Sequence, residues 1–221
     1  GFNSKDLLSG TGANVSSLIL KHKWNSLLLD GKYENPKINL HKHFLTPQNI
    51  SGLFNSYNVP KEPEYISIDV DSIDLWLFKS VVQDYRAMLF SVEYNANFPI
   101  EAAITFPNNP KEYWEGDRGY GASLKALNMV AIKHGYSLLW VVPFMDAFFI
   151  RNDLIDDGLD LQIAPPQNTI IITPVAAGES KLSNALKIIL GVILIIYGPG
   201  WIRNFEWAAE AEGTMEAATA I

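Results

Sequence analysis

The chain has 221 residues, 48% of them hydrophobic and 12% aromatic, which is the make-up of a globular protein with a buried core and excludes a disordered one. A net charge of −7 offers no basic stripe to neutralise phosphates, so a general nucleic-acid binder is excluded. Cysteine is absent, which rules out disulfides and thiolate metal sites and is compatible with the reducing cytoplasm.

No signal peptide is visible, and the chain opens on Gly1 inside what reads as a motif, so its natural start is expected upstream. Residues 1–12 are rich in turn formers and lead into a helix whose apolar positions are Val15, Leu18, Ile19 and Leu20. Backbone N–H groups at such a glycine-rich turn can face a polar ligand, although a plain loop is the commoner outcome. Residues 24–30 read as a buried strand ending in Asp30 before Gly31. Two readings of Asp30 stay open: an acceptor of ribose hydroxyls at a strand end, or the start of a turn. His41 and His43 share a face if extended, but with no Cys and no third suitably spaced His they do not make a metal site. Thr46 and Pro47 open a helix with Ile50, Leu53 and Phe54 on its apolar side.

The centre of the chain is residues 65–81. A short strand of β-formers ends in Asp69 and Asp71 and turns directly into a helix carrying Ile73, Leu75, Trp76, Leu77 and Val81. The next strand, residues 87–94, ends at Glu93. Two strands that finish in acids and are joined by a helix predict a parallel βαβ unit with its carboxylates on one edge, the edge where open α/β sheets bind ligands. Residues 95–118 form a long polar stretch containing Tyr113 and Trp114, expected to be a binding loop or lid in which those rings stack on substrate. An amphipathic helix over residues 121–135, stopped by Gly135, precedes an antiparallel pair at 136–142 and 147–150.

Composition changes after Asp156, so residues 1–155 and 156–221 are expected to be separate parts. Two short strands, 159–163 and 169–175, come before the long apolar run at 182–202. Its uninterrupted portion, 188–197, is half of the ~20 residues a bilayer span needs. A helix buried against a protein partner or lying in a membrane interface is therefore preferred to a true span.

Several stretches, in order, carry a family resemblance: WNSLLLDG (24–31), TPQNISGLF (46–54), YISIDVDSIDLW (65–76), VEYNA (92–96), GASLKAL (121–127) and AFFIRNDL (147–154). Over residues 1–154 the chain resembles the FkbM-like, S-adenosylmethionine-dependent methyltransferases. The resemblance implies an α/β, Rossmann-like sheet, mostly parallel with a terminal antiparallel hairpin, whose first strand would precede Gly1. It implies S-adenosyl-L-methionine as cofactor, with Gly1 and Asn3 in the first cofactor motif, Asp30 on the ribose and Asp69 beside the methyl-transfer centre. Asp71 and Glu93 would be catalytic, and Asn95 would line the acceptor side, the acceptor being a hydroxyl of a carbohydrate or related small molecule. The chain departs from the family at Ser72 and Asp146, where Gly and Asn are usual. Residues 168–195 are similar instead to the end of the lambda-type phage tail assembly protein I, which keeps open a non-enzymatic assembly or interaction protein with a degenerate Rossmann core.

Methyl transfer from a sulfonium needs alignment and, for a hydroxyl acceptor, removal of its proton. Asp71 or Glu93 is the expected base. An oxygen-rich set of Asp69, Asp71, Asp74 and Glu93 would favour Mg²⁺ over Zn²⁺ if a cation took part, although no metal ligand is assigned. The competing reading is that Asp69 and Asp71 only cap the following helix.

Overall fold

A computed structural model describes residues 15–20, 22–109, 115–155, 161–163 and 170–172. The chain divides into two units, and each is described by itself. Helix α1 (Ser16–Leu20) belongs to the unit formed by Phe2–Ser26 and Ala177–Ile221. There Leu18 is buried, and its carbonyl accepts the Trp24 N–H at 3.1 Å.

All other described elements lie in the unit Leu27–Ala176. Strands β1 (Leu28–Asp30) and β2 (Leu40–Lys42) pair in parallel as a small sheet of their own. Helix α2 (Ile50–Ser56) follows a turn in which Thr46 and Asn49 bond reciprocally: Thr46 N–H donates to Asn49 Oδ1 at 2.8 Å and Asn49 N–H to Thr46 Oγ1 at 3.2 Å. Thr46 thus does the capping work expected of it, one turn ahead of the regular helix. Strand β3 (Tyr65–Ile68), helix α3 (Asp74–Asp84) and strand β4 (Leu89–Glu93) form the parallel βαβ unit. Helix α4 (Leu124–Lys133) leads into strands β5 (Tyr136–Val141) and β6 (Asp146–Arg151).

The main sheet has the order β3-β4-β6-β5, with β6 antiparallel to both of its neighbours. The expected antiparallel hairpin is therefore present. The main sheet is mixed, however, not mostly parallel, because β6 returns through a tight turn and inserts between β4 and β5. A bulge at Leu139 shifts the β5 register, as Leu138 pairs with Phe149 and Trp140 with Phe148. Strands β7 (Leu161–Ile163) and β8 (Ile170–Ile172) form a separate antiparallel pair inside the two short strands expected after Asp156. Among the described residues no helix is long and apolar enough to cross a membrane, and the 182–202 stretch lies outside them.

Alternation on β3 and β4 sorts the sheet faces. Ile66, Ile68, Phe90, Val92, Ala147 and Phe149 join the buried face of α3 in one core. Its aromatic centre is Phe78, 5.1 Å from Phe90 and 5.5 Å from Phe149 between ring centroids, with Tyr136 edge-on to Phe90 at 5.2 Å. Tyr136 buries its hydroxyl by donating to the Ala87 carbonyl at 2.6 Å. Helix α2 is fastened to α3 by Tyr85, whose hydroxyl donates to Asn55 Oδ1 at 2.8 Å. The opposite sheet face is polar along β3 and β4: Tyr65 Oη lies 2.7 Å from Ser91 Oγ, and Ser91 Oγ donates to Ser67 Oγ at 3.0 Å. This hydroxyl ladder runs toward the carboxyl ends of both strands.

Candidate active site

Asp69 comes directly after β3, Asp71 two residues later, and Glu93 is the last residue of the parallel neighbour β4. One carboxylate oxygen from each lies within 4.8 Å of the others. The backbone at Asp71 has φ +60, a left-handed conformation that Asp tolerates better than most residues, so the chain reverses sharply there.

Asp74 is what holds this reversal. It is fully buried at the first position of α3, and its carboxylate accepts the Val70 N–H at 2.7 Å and the Ser72 N–H at 3.0 Å. The fourth acid of the expected oxygen-rich set is thus turned inward to fasten the β3–α3 loop. It is Asp74, too, that receives the loop's backbone N–H groups, a task the capping reading gives to Asp69 and Asp71. Burial pushes Asp74 up to about 7, with repulsion from Asp69 and Asp71 adding to it against the backbone hydrogen bonds.

Glu93 is the most perturbed member of the trio. Burial, followed by repulsion from Asp74, Asp69, Asp71 and Asp146, pushes it up to about 9. Its Oε2 is buried and has no hydrogen-bond partner among the described residues. Asp146, itself buried, stands opposite Glu93 in the β4–β6 register. Burial, then repulsion from Asp69, also raises Asp71. Three carboxyl groups this close do not all ionise at neutral pH, so one carries a proton or a hard cation neutralises them; three oxygen donors are a set that a hard divalent ion accepts.

Tyr120 completes the rim. Burial and then the charges of Glu93 and Asp71 raise its hydroxyl, which places that ring in the field of the same carboxylates. Its segment is positioned by Asn95, which is 1% exposed. The Asn95 amide donates to the Arg118 carbonyl at 2.7 Å and the Tyr120 carbonyl at 2.8 Å, and its oxygen accepts the backbone N–H and side-chain N–H of Asn97, both at 2.9 Å. Both donors and both lone pairs are therefore engaged, and Asn95 acts by holding the loop. Gly121, at φ +55, gives the turn that follows, beside Asp74.

The structure thus brings Asp69, Asp71 and Glu93 together. Asp30 stands at the end of β1 in the other sheet, where its Oδ1 accepts the N–H groups of Lys32 at 2.7 Å and Tyr33 at 2.9 Å. The turn reading of Asp30 is realised, and Oδ2 is the atom left for another donor. Gly1, Asn3, Tyr113 and Trp114 lie outside the described residues. His41 and His43 both border Tyr57, with His43 Nε2 2.8 Å from its hydroxyl, and His41 Nε2 lies 2.7 Å from Asn39 Oδ1. Sequence reasoning passed over the roles of Tyr120 and Asp146. Asp146 reaches Glu93 through the pairing of β6 with β4, which local sequence does not record, and nothing in the polar loop singles out Tyr120.

Comparison of the chain with protein-family models, with curated proteins and with solved structures finds no match.

Proposed function

We infer that this chain is an S-adenosylmethionine-dependent methyltransferase acting on a hydroxyl of a carbohydrate or related small molecule. The observation that carries this reading is the meeting of Asp69, Asp71 and Glu93 at the carboxyl ends of two parallel strands, their carboxylates within 4.8 Å of one another. The reversed strand β6 between β4 and β5 supports a Rossmann-like methyltransferase sheet with its terminal antiparallel hairpin.

In such a reaction S-adenosylmethionine supplies a methyl group on a sulfonium, which leaves as a neutral thioether while the acceptor oxygen forms the new C–O bond. The protein's part is to take the hydroxyl proton and to hold that oxygen in line. Ionised Glu93 is the proton acceptor. Its elevated value makes it a stronger base than a solvated carboxylate, and it stands with Asp69 and Asp71 at the strand ends. Asp71 is placed to accept a hydrogen bond from a neighbouring hydroxyl of the acceptor, and Asp69 favours the positive sulfonium by charge. Asp30 Oδ2 is the acceptor offered to a ribose hydroxyl.

Calorimetric titration of the full chain with S-adenosylmethionine tests the reading. Saturable binding that weakens in Asp69→Asn is expected, and no heat of binding at any ligand concentration would remove the enzyme from consideration.

A further inference from the structure

The turn between β5 and β6 carries an unexplained side chain. Met145 N–H closes the turn on the Val142 carbonyl at 3.1 Å, with Pro143 and Phe144 in the middle. Proline followed by a residue of positive φ is the pattern of a type II turn, whose third position favours Gly or Asn. Here that position holds Phe144 at φ +62, a conformation bulky side chains rarely adopt. The ring gives nothing back to the core, since Phe144 is 79% exposed.

The strained turn is tied to the acidic rim. Tyr94, the residue after Glu93, grips it twice: Tyr94 Oη accepts the Phe144 N–H at 3.2 Å, and Tyr94 N–H donates to the Met145 carbonyl at 3.0 Å. Asp146, directly after the turn, faces Glu93 across the ladder. An exposed aromatic ring is thus held in an unfavourable backbone conformation on the turn that Tyr94, next to Glu93, and Asp146, paired with Glu93, tie to the end of β4. Strain of this kind persists where surrounding structure enforces it, and it concentrates at ligand sites.

We propose that Phe144 is the specificity-determining platform on the acceptor side, its ring lying against the C–H face of a neutral hydroxylated ring whose reactive oxygen points to Glu93 and Asp71. This rests on the acceptor being a hydroxyl compound, as argued above. The carboxylates disfavour phosphorylated or carboxylated acceptors, and the ring supplies an apolar contact for the C–H face of a polyhydroxylated ring.

Saturation-transfer NMR on the full chain tests it, with methyl α-D-glucopyranoside as probe and glucose 6-phosphate as charged control. Wild type is expected to transfer saturation to the C–H protons of the glycoside and not to the phosphate. Phe144→Asn keeps the turn, because Asn accepts positive φ, and should lower the transfer about fivefold, the scale of one lost ring contact. Phe144→Trp should retain it. Thermal midpoints no lower than that of wild type in both variants show that folding is intact. Equal transfer in wild type and Phe144→Asn, or none in wild type, overturns the platform. Failure of S-adenosylmethionine to bind, alongside glycoside contact that depends on Phe144, would instead remove the methyltransferase reading and leave the platform standing.

Discussion

Glu93 and Asp146 face each other across the β4–β6 ladder, two acids in directly paired positions where the sheet is buried. Like charges directly opposite on neighbouring strands repel, and burial strengthens the repulsion. Proton retention by Glu93 to about 9, caused first by burial and then by Asp74, Asp69 and Asp71, relieves this repulsion as well. One carboxyl carbon in the ¹³C NMR spectrum should therefore titrate near pH 9 and vanish in Glu93→Gln. With any acceptor that supports turnover, wild-type rate should rise with pH through the same value, and Glu93→Gln should lose about 10²–10⁴-fold, the usual contribution of a positioned base. Unchanged turnover in that variant removes Glu93 from catalysis.

The same groups set the pH dependence of stability. Asp74 and Glu93 both have folded values above their ordinary carboxylate values, so between those limits the folded chain binds more protons than the unfolded chain. Their contribution is complete below about pH 4 and is lost as pH rises, through about 7 for Asp74 and about 9 for Glu93. Each group can lower stability by at most about 1.4 kcal/mol per pH unit inside its window. The thermal midpoint should fall between pH 5 and pH 9, and Glu93→Gln should flatten the upper part of that fall. A midpoint that climbs toward pH 9 would contradict both assignments.

Asp74 makes a separate prediction because it acts through the backbone. Asp74→Ala removes the acceptor for the Val70 and Ser72 N–H groups and should destabilise by about 2–4 kcal/mol. Asp74→Asn keeps one acceptor oxygen and should lose less. Urea unfolding separates the two, and equal losses would mean that the carboxylate does not hold the loop.

Gly121 is tested by its backbone alone. A Cβ there would meet only Asp74 Oδ2, at an ordinary 3.8 Å, yet φ is +55. Gly121→Ala should therefore cost about 1 kcal/mol through strain, without a steric clash. Full stability in urea would show that the turn does not need positive φ.

The βαβ unit was legible because its signals agree: alternating apolar residues on β3, helical spacing from Ile73 to Val81, and an acid at the end of each strand. The hairpin was legible because too few residues separate β5 from β6 for a parallel crossover. Its insertion beside β4 was not, since local patterns in 136–151 do not record which edge a hairpin joins. The acids show the same limit. Their clustering follows from parallel pairing and was expected, but spacing alone could not separate Asp74, which turns inward, from Asp71, which stays at the surface. Asp30 could serve a ribose or a turn on sequence grounds, and the Lys32 and Tyr33 N–H groups settle only what its Oδ1 does.

Asn95 tests whether the rim is built or incidental. Its side chain makes four hydrogen bonds from a nearly sealed position, and two of them fix the carbonyls on either side of Gly119, just before Gly121. Asn95→Ala should cost about 2–3 kcal/mol, because it removes both donors to the Arg118 and Tyr120 carbonyls and the acceptor of the Asn97 N–H groups. Asn95→Asp distinguishes position from polarity: its oxygens still accept from Asn97, but it cannot donate to Arg118 and Tyr120, and it adds a further carboxylate near Glu93. That variant should be destabilised more at pH 8 than at pH 5, and in both variants amide exchange should quicken first at residues 118–122. If exchange there stays as slow as in wild type, Tyr120 owes its place at the carboxylates to something other than Asn95.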